Sequence, residues 1–65
     1  MTRDEATALR AALLTIKALP VGATHPPEVS DLRPRLLALG LVEAKDYPEG
    51  RRYHMTDAGM VATAP

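Results

Sequence analysis

Cysteine, phenylalanine, tryptophan, asparagine and glutamine are all absent from these 65 residues. Without cysteine there is no disulfide staple and no thiolate metal site. With only Tyr47 and Tyr53 as large aromatic side chains, any core must be built from aliphatic residues. No apolar run approaches the roughly 20 residues that cross a bilayer. The first residues follow a helical pattern rather than that of a signal peptide, so the expectation is a soluble, cytoplasmic protein. Net charge is also lacking: eight basic and eight acidic residues cancel. That balance argues against strong nonspecific attraction to a polyanion. The single serine, the two histidines and the scattered carboxylates fall at no spacing that resembles a catalytic triad, a metal site or a phosphate loop. An enzyme is not expected, and neither is a cofactor or a metal. No repeat or low-complexity segment is visible.

What is present fits one small domain, residues 1–65, of a size that buries only about 60% of its unfolded surface. Alanine and arginine are frequent and lysine occurs twice, a composition associated with GC-rich bacterial or phage genes. Residues 2–19 read as a helix. Thr2-Arg3-Asp4-Glu5 fits a capping box, with Glu5 reaching back toward Thr2. Ala6, Leu9, Ala12, Leu13, Ile16 and Leu19 form one apolar stripe at helical spacing, and Pro20 stops the helix. The reverse side carries Thr7, Ala11, Leu14 and Ala18, small and largely apolar where a monomer's outer face is usually charged.

The segment 20–30 is rich in proline. Pro26-Pro27 opens a short helix over 26–29, which brings Val29 into the core beside Leu32 and Leu36. A further helix is expected over 31–39. Ser30 and Asp31 are both good N-caps, and Asp31 is favoured because Pro34 then falls in the first turn, where few backbone N–H groups have helical partners. Leu32, Leu36 and Leu39 face inward. Gly40 supplies the left-handed residue that closes the helix, and Leu41 folds back on Leu36.

The most specific local signal is a hairpin over 41–46 and 51–56. Tyr47-Pro48-Glu49-Gly50 suits a type I turn. Pairing Asp46 with Arg51 puts Val42 opposite Met55 and Ala44 opposite Tyr53 on one mostly apolar face, turned toward the helices. Glu43 opposite His54 and Lys45 opposite Arg52 form a polar face. A slip of one residue would destroy this sorting. Thr56 then caps a last helix over 57–63, weakened by Gly59. The fold class is mainly α with a two-stranded antiparallel β-hairpin.

The order of helix, short helix, helix ending LLALGLVE, arginine-bearing hairpin and MTDAG resembles the winged helix-turn-helix DNA-binding proteins of the MarR type. In that family a helix end of the form "L..L...GLV" leads into a wing, and an "LTxxG" step opens the next helix. The resemblance covers roughly residues 24–62, and the first helix fits the scaffold. Two departures are visible: the second helix is curtailed by Pro26 and Pro27, and the long dimerisation helices of MarR proteins are missing. The resemblance implies double-stranded DNA as partner, the helix 31–39 in the major groove, and the hairpin on phosphates.

The candidate DNA-contacting residues are Ser30, Arg33, Arg35, Lys45, Arg52 and His54. Arg33 and Arg35 lie on opposite flanks of their helix, about 200° apart, and arginine is the commonest reader of guanine. Lys45 and Arg52, opposed on the polar face, repel one another unless an anion sits between them or Glu43 or Glu49 screens them. Arg51 pairs with Asp46 in a structural role. His25 reads as a loop residue and His54 as a strand residue beside Glu43. The function expected is a small DNA-binding transcriptional regulator of phage or prophage type. The alternative is a winged-helix protein-interaction module, favoured by neutral charge and by the apolar Pro34, Leu37 and Ala38. A homodimer through Thr7, Ala11, Leu14 and Ala18 is expected in either case, because so small a domain has little stability to spare.

Overall fold

A computed structural model of the chain describes residues 2–20 and 23–65. The order of elements is α1 (Arg3–Ala18), α2 (Pro27–Ala38), β1 (Val42–Tyr47), β2 (Gly50–Met55) and α3 (Asp57–Ala62). The fold is mainly α with one two-stranded antiparallel hairpin, as expected. No helix among the described residues is long and apolar enough to cross a membrane.

Helix α1 begins as the capping signal requires: the Thr2 hydroxyl accepts from the Glu5 amide at 3.1 Å. Glu5 accepts a charge-assisted bond from Arg35 of α2 at 2.8 Å. Leu9, Ala12, Leu13 and Ile16 are buried. Ala6, expected in the same stripe, is exposed, and Leu19 is half-buried past the helix end.

The main departure is α2. The separate helices expected over 26–29 and 31–39 are one continuous helix. Its N-cap position is Pro26, and the amides of Val29 and Ser30 both donate to the Pro26 carbonyl at 3.0 Å. Pro34 therefore lies in the helix interior, not in a first turn capped by Asp31. A proline there removes the bond to the carbonyl four residues back, that of Ser30. The helix persists because its apolar stripe does not break at that point. Val29 and Leu36 are fully buried and Leu32 packs against them, and at about 25 cal/mol per Å² such burial stabilises each side chain by about 1.5–3 kcal/mol.

α2 closes in a Schellman arrangement. Gly40 has φ +72°, its amide donates to Leu37 and that of Leu41 donates to Leu36, and Leu41 packs on the core that Leu36 belongs to. Leu39, expected inward, is 45% exposed, because as C-cap it already sits where the chain turns away.

The hairpin has the register derived from the sequence: Val42 with Met55, Glu43 with His54, Ala44 with Tyr53, Lys45 with Arg52 and Asp46 with Arg51. Gly50 has φ +134°, a conformation that excludes most side chains at the exit of the Pro48-Glu49 loop. Only the base of the hairpin reaches the core. Val42 is buried, Tyr53 and Met55 are partly buried, and Ala44, expected to face the helices, is exposed. Beyond Val42 the outgoing strand overhangs the helices.

The base is fastened at a corner. The Thr56 amide donates to the Leu41 carbonyl at 3.1 Å. The Thr56 hydroxyl donates to the Gly40 carbonyl at 2.6 Å and accepts from the Gly59 amide at 3.1 Å. Gly59 is buried against this corner, and a Cβ there would overlap the Leu41 carbonyl oxygen. Helix α3 ends at Ala62, one residue short of the expected end, with Thr63 as C-cap. Arg10 of α1 donates to the Thr63 carbonyl at 3.4 Å. The stripe of Thr7, Ala11, Leu14 and Ala18 does not cover α3 and is exposed.

Replacing a helical glycine by alanine ordinarily stabilises by about 1 kcal/mol. At position 59 the sign should reverse. Gly59→Ala is expected to destabilise by about 1–3 kcal/mol through overpacking, measured as a lowered urea midpoint. A midpoint at or above that of the parent would contradict the corner as described.

Candidate nucleic-acid interface

Arg33 projects from the middle of α2 toward β2, where Tyr53 stands on the hairpin face that meets the helices. The guanidinium lies over the Tyr53 ring, 4.1 Å from its centroid, a placement favoured by the ring's negative face. Its Nη2 donates to His25 Nδ1 at 2.8 Å and to Ser30 Oγ at 3.3 Å. Because Nδ1 accepts, the neutral imidazole carries its proton on Nε2. The His25 ring also meets Tyr53, with centroids 6.1 Å apart and planes inclined at 45°. Arg33 is thus fixed by one aromatic ring, one imidazole and one hydroxyl. It has no carboxylate partner among the described residues, and its Nε is shut off from solvent with no acceptor.

These groups wall an open cleft of about 370 Å³ between the loop at 23–25, α2 and β2. Arg51 and Arg52 complete it, and no Asp or Glu lines it. Arg51 Nε donates to Asp46 Oδ1 at 2.9 Å across the strand pair, as expected from the register. That bond and the carboxylate charge raise the Arg51 pKa further, so this guanidinium is permanently charged. Arg52 lies on the opposite pleat, 5.9 Å from the Tyr47 ring centroid.

Of the expected contact residues, the structure brings Ser30, Arg33 and Arg52 to this cleft. Arg35 points to α1, where Glu5 holds it. Lys45 is opposed to Arg52 in register, and Glu43 on its own strand screens it at 3.5 Å. His54 is on the polar hairpin face, with its Nε2 3.3 Å from the Tyr47 hydroxyl. His25 and Arg51 belong to the cleft although sequence reading gave them no contact role. The signal for Arg51 was its place beside Arg52. For His25 no local signal exists, since its contacts with Arg33 and Tyr53 come from the path of the loop.

Comparisons with protein families, with curated proteins and with solved structures return no match to this chain. Among the described residues, no group of three or more His, Cys, Asp and Glu side chains is placed to hold a metal ion.

The His25 pKa is lowered from the ordinary 6.5, first by burial and then by the Arg33 charge. Folding therefore disfavours its protonation, and the associated stability is present above pH 6.5 and lost as pH falls through the lower folded-state value. An NMR titration of the His25 ring should show a midpoint below 6.5, moving upward in Arg33→Gln. A midpoint at or above the ordinary value would contradict this environment.

Proposed function

We propose that the protein is a small DNA-binding regulator that meets double-stranded DNA with the exposed side of α2 and with the hairpin as a wing. The observation that carries this reading is the shared cleft. Arg33 from the helix and Arg51 and Arg52 from the strand line it together, without a carboxylate. A helix and a wing that contact one duplex must present their cations on one side. Formal neutrality is no obstacle: Glu5 pairs with Arg35, Glu43 with Lys45 and Asp46 with Arg51, and Arg33 and Arg52 have no carboxylate partner among the described residues. The sparse positive surface implies modest affinity for one copy. A homodimer through Thr7, Ala11, Leu14 and Ala18, all exposed on α1, doubles the contact with DNA.

A protein-interaction module is the second reading. It is favoured by the exposed apolar side of α2, where Leu37 is 37% exposed beside the exposed Pro34 and Ala38.

Titration of mixed duplex DNA at increasing salt separates the two. A phosphate-driven complex weakens steeply with salt, whereas a protein with no DNA affinity at low salt follows the second reading. Arg52→Ala and Arg33→Ala should weaken binding about equally for all sequences and each flatten the log–log salt slope by about one unit. Unchanged binding in both variants would rule out this surface. For the dimer, sedimentation equilibrium at micromolar concentration should give twice the chain mass, reduced to the monomer by Leu14→Glu. A monomeric parent, or a dimer that survives Leu14→Glu, would rule out this interface.

A further inference from the structure

We propose that the cleft between the loop at 23–25, α2 and β2 is a discrete site for one phosphate group, anchored by Arg33 and Ser30, with His25 taking up a proton as the anion enters. This deepens the DNA reading, and rests on it for the source of the phosphate, a backbone diester. The site's chemistry is the same for a free phosphate.

Arg33 carries the argument. A surface arginine normally sweeps through many rotamers, and ordering it costs conformational entropy. Here the side chain is already held, by stacking on Tyr53 and by bonds to His25 and Ser30. Those bonds use Nη2, and Nε is shut off from solvent, so an entering anion meets the Nη edge of the guanidinium. A cation so fixed, yet given no carboxylate, is arranged for an anion from outside the chain. A planar guanidinium suits a phosphate in particular, because it can offer two parallel N–H donors. The Ser30 hydroxyl lies within the same cleft and can turn its proton toward an oxygen.

His25 supplies the coupling. As an acceptor from Arg33 it must be unprotonated at Nδ1. An anion beside the pair offsets the repulsion between an imidazolium and the guanidinium, and Arg33 then exchanges the imidazole for a phosphate oxygen. The groups that face His25 are consistent with this. Arg33 comes from α2, Tyr53, Arg51 and Arg52 from β2, and Lys17 of α1 and His54 of β2 line the adjoining apolar groove. No carboxylate is among the residues lining either space.

The test is an NMR titration of the full chain with sulfate and with inorganic phosphate. Sulfate keeps its charge from about pH 8 down to about pH 5.5, across the range in which histidine titrates, so any pH dependence of its binding belongs to the protein. Saturable shifts are expected in residues 23–25, Ser30, Arg33 and 51–53. Sulfate binding should tighten as pH falls. His25→Gln, which keeps an acceptor for Arg33, should bind sulfate with the pH dependence lost. Arg33→Gln should weaken binding by at least about tenfold. Should that variant lose its native spectrum, Ser30→Ala and the map on the parent decide instead. Shifts that do not saturate, or that fall equally on Arg3, Arg10 and Lys45, would overturn the site. Sulfate binding independent of pH in the parent would overturn the role of His25.

Duplex DNA, titrated into the same variants, separates the two conclusions. Anion binding in the cleft without DNA binding upholds the site and removes the diester as its source. DNA binding unchanged by Arg33→Gln, Ser30→Ala and Arg51→Gln overturns the diester as the cleft's occupant and leaves the DNA reading to other residues.

Discussion

The closure of the corner between Gly40-Leu41 and Thr56-Gly59 is the interaction on which the rest of the structure depends. One threonine hydroxyl donates to the Gly40 carbonyl and accepts from the Gly59 amide, while its backbone amide takes the Leu41 carbonyl. The end of α2, both ends of the hairpin and the start of α3 meet there. A lone two-stranded hairpin is marginal in water. This one is held because its base is tied into the helices at the point where Val42 enters the core. The position of Tyr53 follows from that anchorage, and the position of Arg33 follows from Tyr53.

The core is small and aliphatic, and its aromatic component comes from Tyr53 at its margin. That tyrosine has a double role. One part of its ring belongs to the apolar packing between hairpin and helices, and its face carries the Arg33 guanidinium. Packing and charge placement are thereby coupled. Pairing also decides which cations count. Glu5, Glu43 and Asp46 pair with Arg35, Lys45 and Arg51, so the local field at the cleft is set chiefly by Arg33 and Arg52 rather than by the overall balance of acids and bases.

Features set by neighbours in the chain were legible in the sequence: the N-caps at Thr2 and Thr56, the glycine closure at position 40 and the hairpin register. Each depends on bonds within a few residues or on alternation along a strand. Two kinds of feature were not. Proline 34 points to a helix start at Asp31 by the local rule against interior proline, but the burial of Val29 and Leu36 on either side of it carries the helix through. The cleft was legible only in part. Ser30 and Arg33 share a helix turn, but whether Arg33 or Arg35 is free depends on the distant Glu5. The place of His25 depends on a loop whose course no periodicity encodes.

The sheet has only two strands, so each leaves one edge unpaired. Open edges are templates for stacking between molecules. Here they are flanked by Glu43, Lys45 and Asp46 on β1 and by Arg51 and Arg52 on β2, side chains whose hydration and repulsion discourage such growth. A chain without net charge has little colloidal repulsion to add to this. Salt screens these side chains with a Debye length of about 8 Å at physiological strength and about 3 Å at 1 M. High salt therefore weakens the guard on the strand edges, and concentrated stocks should be kept away from both high salt and the isoelectric point near 6.7.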